Sequence, residues 1–154
     1  MACEFLYNPT QSVALNAPVL FDTSIPCSRG NVYHEGNTGN FILKGANSNC
    51  GCNQFAQYQV TFNGNVAIPT GGAISPIAIA LSVNGEPRLT SKAVFTPAAV
   101  EEQGNLTSTA IIKVPRCCCF SLSVDYVPAS TDPTVTPTPV IEVSNANLTI
   151  ARIA

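Results

Sequence analysis

Apolar and polar residues alternate with a period of two along most of this chain, the signature of strands that bury one face and wet the other. The clearest run is Phe120-Ser121-Leu122-Ser123-Val124-Asp125-Tyr126, apolar at even positions and polar or acidic at odd ones. Tyr58-Gln59-Val60-Thr61-Phe62 repeats it, and Ile77-Ala78-Ile79-Ala80-Leu81-Ser82-Val83 sets large aliphatics against small residues. Asn84-Gly85 then precedes Arg88 to Phe95, which predicts a tight hairpin, since Asn-Gly tolerates the positive φ of a primed turn. Further strands are predicted at Val13 to Phe21, Phe41 to Lys44, Ser108 to Val114 and Asn147 to Ile153, about eight in all.

Twelve prolines and ten glycines punctuate these runs, and no segment carries a 3.6-residue apolar stripe between caps. The pattern predicts an all-β, antiparallel two-sheet sandwich or jelly roll with almost no helix. No repeat recurs, which argues against a solenoid or propeller. Two loops stand out: Gly45 to Asn53, small residues with two thiols, and the Pro/Thr-rich stretch Pro128 to Pro139. The latter is expected to lie over the surface, because the strand after it is needed to complete a sheet.

Composition narrows the function. A chain of 154 residues fits one domain and buries roughly 70% of its unfolded surface on a hydrophobic core. Charged residues are only 10% of it, against about 25% in an average domain. Asn, Thr, Ser and Gln supply the polar surface and are cheaper to desolvate than Lys or Glu, a hint of oligomerisation. A net charge of −2 with seven dispersed basic residues excludes a nucleic-acid stripe. No apolar run reaches the length of a bilayer span. Residues Met1 to Tyr7 lack the basic start and apolar stretch of a secretory signal, so a chain complete as written is expected to be made in the cytosol.

Seven cysteines are the most conspicuous chemistry: Cys3, Cys27, Cys50, Cys52 and the run Cys117-Cys118-Cys119. Cys-x-Cys and three consecutive cysteines do not match zinc knuckles, and no metal or other cofactor is assigned. Two readings stay open. Disulfides would bridge Cys27 to Cys50, or Cys52 to a member of the 117 to 119 run; alternatively Cys118, in phase with Phe120 and Leu122, is a small core residue and the others are packed thiols. The odd count leaves one thiol free or paired between chains.

Catalysis finds no constellation. His34, the one histidine, sits beside Glu35 in a turn-rich segment and reads as a surface residue. Glu101-Glu102 reads as a solvated loop pair, and Gly71-Gly72 as a turn rather than a phosphate loop. The chain is read as a non-enzyme.

The segment Ser12 to Phe21, then Phe41-Ile42-Leu43, then Gln57 to Phe62, then Leu81-Ser82-Val83-Asn84-Gly85 and the closing Asn145 to Ile153 resemble the complement-type and tumour-necrosis-factor-like jelly rolls. The bacterial and bacteriophage versions are the nearest look-alikes: tip domains of collagen-like spore-surface proteins, phage head fibres and capsid decoration proteins. The likeness runs from about Gln11 onward and implies an eight- or ten-stranded jelly roll assembled as a homotrimer. No Gly-X-Y stalk precedes the domain, and the Cys run and Pro/Thr loop are extra.

The resulting expectation is a jelly roll over 11–154 preceded by an N-terminal arm over 1–10, in which Cys3, Phe5, Leu6 and Tyr7 anchor the domain by pairing with a neighbour's sheet edge. Its function would be a trimeric capsid decoration or head-fibre subunit of a bacteriophage virion, made in the host cytoplasm, with itself and capsid or fibre proteins as partners and neither nucleic acid nor membrane. The alternatives are a module that binds a host surface glycan or protein at a fibre tip or a bacterial or spore surface, and a self-assembling surface filament in which Cys3 or another exposed thiol links subunits.

Overall fold

A computed structural model describes residues 2–25, 30–46 and 55–154. Its strands are β1 (Ala2–Tyr7), β2 (Gln11–Ala14), β3 (Thr23–Ile25), β4 (Val32–His34), β5 (Phe41–Lys44), β6 (Phe55–Ala67), β7 (Ile77–Val83), β8 (Glu86–Pro87), β9 (Ala93–Phe95), β10 (Gly104–Pro115), β11 (Cys119–Val127) and β12 (Val140–Arg152). Among the described residues the only helical piece is a 3₁₀ turn at Leu89–Ser91. One antiparallel sheet runs β10-β6-β12-β1-β3, with β2 also on β12; the other runs β4-β5-β11-β7-β8, with β9 also on β7. This is the jelly-roll sandwich that the period-two pattern predicts.

The predicted inner faces of β6 and β11 are the observed ones. Along β6 the even residues Tyr58, Val60 and Phe62 are fully buried, and along β11 Leu122, Val124 and Tyr126 meet them from the opposite sheet. Phe41 packs edge-on to Phe5 and Phe21 at centroid distances of 4.6 and 5.6 Å, and Phe21 edge-on to Phe62 at 6.5 Å, so rings from both sheets form one cluster. Such pairs add about 0.5–1.5 kcal/mol beyond their buried area. Two buried tyrosines end in hydrogen bonds: Tyr58 Oη donates to Lys44 O at 2.5 Å, and Tyr126 Oη donates to Thr138 O at 2.6 Å. Burial raises both phenols, Tyr126 to about 12.

Turn chemistry also follows the residues. Asn84 and Gly85 have φ of 53° and 84°, the primed turn their dipeptide predicts. The strand expected from Arg88 to Phe95 is broken instead: Pro87 offers no amide to a ladder, and the chain makes the 3₁₀ turn before resuming as β9. Ser91 Oγ takes the place of a ladder carbonyl by accepting from Leu81 N at 3.0 Å. The single strand expected over 13–21 divides as well. β2 pairs with β12, Asn16 turns with φ 64°, and the next residues cross to the other sheet, where Val19 N donates to Val124 O at 2.7 Å. One segment thus stitches the sheets together.

The detached N-terminal arm is corrected. β1 pairs with β12 along its whole length, from Ala2↔Ala151 to Tyr7↔Ala146, and with β3 on its other side. Cys3 and Phe5 are core residues, buried to 1% and 3% exposure, because the apolar alternation of the sandwich begins at residue 3. Leu6 and Tyr7 are half-buried. Removing residues 1–10 would strip a strand from the middle of a sheet rather than free a docking arm.

Residues 128–139 lie over the surface as expected. Lys92 Nζ donates to Ala129 O at 3.0 Å, and Ala129 packs on the buried Ala78, Ala80 and Val127. At the far end Thr138 is buried, and its amide donates to Ser75 Oγ at 3.0 Å. The small residues on the outward side of β7 are therefore covered, where alternation alone predicts a wet face.

Two outcomes test this packing. Leu122→Ala removes a fully buried side chain between the sheets and is expected to cost about 2–5 kcal/mol in denaturant unfolding. Tyr126→Phe is expected to cost about 1 kcal/mol at neutral pH. Because the folded-state phenol titrates near 12 and the unfolded one near 10, the native state holds the proton longer. Wild-type stability then falls as pH rises between those values, and the Phe variant should lose that part of the alkaline slope.

Candidate assembly surface

The outer face of the first sheet is where sequence and structure together depart from an ordinary soluble surface. Side chains alternate out of β6, β10 and β12 in register, so Thr61 faces Thr109 and Thr149, and Asn63 faces Thr107 and Asn147. Asn65 pairs with Asn105, and the bulge between Ser144 and Asn147 turns Asn145 outward. The result is a patch of amides and hydroxyls with no charge at its centre.

These groups bond to one another across strands. Asn105 Nδ2 donates to Asn63 Oδ1 at 2.6 Å and to Asn65 Oδ1 at 3.2 Å, and the Thr61 and Thr109 hydroxyls are 3.2 Å apart. Asn65 Nδ2 donates to Asn145 Oδ1, whose own Nδ2 donates to Asn8 Oδ1 at 2.6 Å. At the rim Asn147 Nδ2 donates to Glu4 Oε1 at 2.5 Å. Mutual bonding holds the side chains in place, so little rotamer freedom is left to lose when a second surface covers them.

The patch is continuous with an open strand edge. β10 is twelve residues long and, among the described residues, pairs only with β6. Beside it lies a groove of about 420 Å³ lined by Val83, Arg88, Ile111, Ile112, Lys113 and Phe120. Ile111 is 54% exposed, and Leu89, next in sequence to the lining residue Arg88, is 71% exposed. Arg88 Nη1 donates to Ile111 O at 2.9 Å, occupying one outward carbonyl of the edge. Long edges without such cover invite pairing with another chain.

The residues considered for chemistry are dispersed. His34 is half-buried: its ring stacks on Phe41 at 4.5 Å and meets Phe5 edge-on at 5.2 Å, while Nε2 lies 2.9 Å from Thr38 O. Aromatic neighbours around β4 and β5 take up the imidazole that the sequence leaves in a turn-rich segment. Glu101 Oε1 accepts from Thr70 N and Oγ1, and Glu102 Oε2 accepts from the amides of Ala98 and Ala99, so both carboxylates organise loops. Glu142 is raised above the usual carboxylate range by burial and by the neighbouring Glu101. Among the described residues no group of histidine, cysteine and carboxylate side chains converges to hold a metal ion.

Cysteine placement corrects several expectations. Cys3, expected in the arm, is buried and disulfide-bonded. Cys117, Cys118 and Cys119 are free and exposed, so the run forms no bridge to Cys52. Cys118 is not a core residue either, because β11 starts only at Cys119 and the inward phase of Phe120 and Leu122 does not extend back into the turn. Cys27, Cys50 and Cys52, and most of the loop 45–53, lie outside the described residues. Sequence reasoning missed the Asn/Thr face as a unit. Its signal was present as the odd positions of 59–65 and 105–109, but which strands would be neighbours was not.

No protein-family model and no curated protein matches the chain in sequence. Solved structures do match in shape. The globular domain of zebrafish complement 1qA protein superposes with a TM-score of 0.61 over 99% of this chain and 97% of its own, at 12% identity. The structure of Eiger TNF from S. frugiperda superposes with a TM-score of 0.64 over 100% of this chain and 92% of its own, also at 12% identity. The chain has the C1q/TNF-like jelly-roll fold, in agreement with the complement-type and tumour-necrosis-factor-like part of the resemblance drawn from its sequence motifs.

Proposed function

We propose that this chain is a non-enzymatic structural subunit that associates with itself as a homotrimer, using the Asn/Thr face of the β10-β6-β12 sheet and the open β10 edge as its contact surface. The observation that carries this reading is the uncharged, internally bonded face. Outward sheet faces exposed to water normally carry Lys and Glu, whereas amides and hydroxyls are covered at lower cost. The apolar groove beside Ile111 supplies the hydrophobic part of such a contact. The match in fold to complement and tumour-necrosis-factor domains supports self-association of this kind.

The finer reading is a bacteriophage virion protein, a capsid decoration or head-fibre subunit made in the host cytoplasm, with capsid or fibre proteins as further partners. It rests on the motif resemblance and on a surface so poor in charge that other chains are expected to cover part of it. A glycan- or receptor-binding module at a fibre tip or a bacterial or spore surface ranks second. The exposed lobe at 128–139 offers no aromatic ring on which a sugar would stack.

Native mass by light scattering tests the assembly, in reductant and without it. About three chains in both conditions is the expected result, and a monomer in both sinks the trimer. Asn63→Lys places a charge at the centre of the face and is expected to shift the trimer to monomer while leaving the far-ultraviolet circular dichroism of the strands unchanged. Co-sedimentation of the trimer with capsids tests the virion reading separately.

A further inference from the structure

The connection between β10 and β11 is a turn at Arg116 to Cys118 that presents three thiols in succession. Cys117 has φ 60°, in the left-handed region. Glycine or asparagine occupies that region at small cost, while other residues lose about 1–2 kcal/mol there. A cysteine at this position is therefore not what folding alone selects.

The turn is held against the chain at residues 45 and 46. Gly45 N donates to Cys118 O at 2.8 Å, Cys117 N to Ala46 O at 3.4 Å, and Cys118 N to Pro115 O at 3.2 Å. A Cβ on Gly45 would lie 1.9 Å from Pro115 O and 2.9 Å from Cys118 O, so the two backbones are in direct contact. With the backbone seated inward, all three thiols point to solvent, and all three are free. Cysteine is among the most buried residue types, which makes three exposed in a row an exception to explain.

Partners within the chain do not account for them. Adjacent cysteines of the run have Cα atoms about 3.8 Å apart, below the usual span of a disulfide, about 4.4–6.8 Å, and Cys117 and Cys119, two positions apart, are both free thiols. Cys3 is already bonded inside the core. Setting Cys3 and its partner aside leaves an odd number of thiols, so pairing within one chain cannot consume them all.

We propose that the Cys117-Cys118-Cys119 turn is a covalent cross-linking site through which copies of this chain join by intermolecular disulfides in an oxidising environment. The oxidant is a small disulfide of the glutathione class. A thiolate of the turn attacks it, the oxidant's S–S bond breaks, a mixed disulfide forms, and one small thiol leaves and takes up a proton. A turn thiolate of a second copy then attacks the cysteine sulfur of the mixed disulfide and expels the second small thiol. Two cysteine thiols are oxidised to one bridge, and one small disulfide is reduced to two thiols. Three thiols per turn allow a copy to bond to more than one neighbour, so the product is a network of linked subunits rather than a closed dimer. The inference does not depend on the trimer.

The test uses the full chain incubated with oxidised glutathione or with dithiothreitol and separated on non-reducing denaturing gels. A ladder of covalent multimers that dithiothreitol collapses is expected, with peptide mapping placing intermolecular bridges at residues 117–119. The triple variant Cys117→Ser, Cys118→Ser, Cys119→Ser should lose the ladder while keeping its strand circular dichroism. Alkylating the folded wild-type protein at these exposed thiols before oxidation should abolish the ladder too, and this arm needs no variant to fold. A ladder that persists after either treatment overturns the proposal. So does oxidised wild-type protein that carries only bridges within one chain or glutathione adducts at the turn. Light scattering in dithiothreitol reads the non-covalent assembly independently, so failure of the cross-link and failure of the trimer are distinguishable.

Discussion

The pairing of β6 with β12 is the contact on which the rest of this sandwich depends. Each strand is thirteen residues long, and their antiparallel register sets Val60 against Ile150 and Phe62 against Leu148 on the inner side, with Thr61 against Thr149 and Asn63 against Asn147 outside. Because side chains alternate with a period of two, a slip of one residue would drive Asn63 and Thr61 into the core and expose Phe62. The free energy of burying the aromatic face therefore also aligns the amide face. β10, β1 and β2 add to this pair and inherit its register.

A consequence is that the core and the candidate assembly surface are two sides of one arrangement. A polar row that is merely soluble on an isolated strand becomes a bonded lattice only when β10 brings Asn105 against Asn63 and Asn65 of β6. The second sheet faces outward differently. There Ala78 and Ala80 are covered by Val127 and Ala129, and Ser82 Oγ donates to Asp125 Oδ2 at 2.5 Å. One face is closed by the chain's own residues, while the other is left uncharged and open to a neighbour.

The few titratable side chains serve the same scaffold. Glu102 accepts backbone amides of its own loop, Glu101 reaches across to the amide of Thr70, and His34 packs among phenylalanines. The thiols at 117–119 are free and exposed, and their turn is anchored by the backbone at Gly45 and Ala46.

By itself the sequence determined the long strands around β6, β7, β11 and the end of β12, the inner faces of β6 and β11, and the Asn84-Gly85 turn, because alternation and turn chemistry act between residues close along the chain. It also carried the jelly-roll class, which follows from short strands spaced by proline and glycine. The tertiary structure decided what depends on distant pairing. It made β1 an interior strand between β12 and β3 instead of an arm, since only the partner β12 reveals where Cys3 and Phe5 belong. It split the segment after Val13 between two sheets, drew His34 into an aromatic cluster, and put Cys118 outside although its phase matched the core. In each case a local pattern states that a residue has two faces to choose between, and only the neighbouring strand, brought from far along the chain, decides which face is buried.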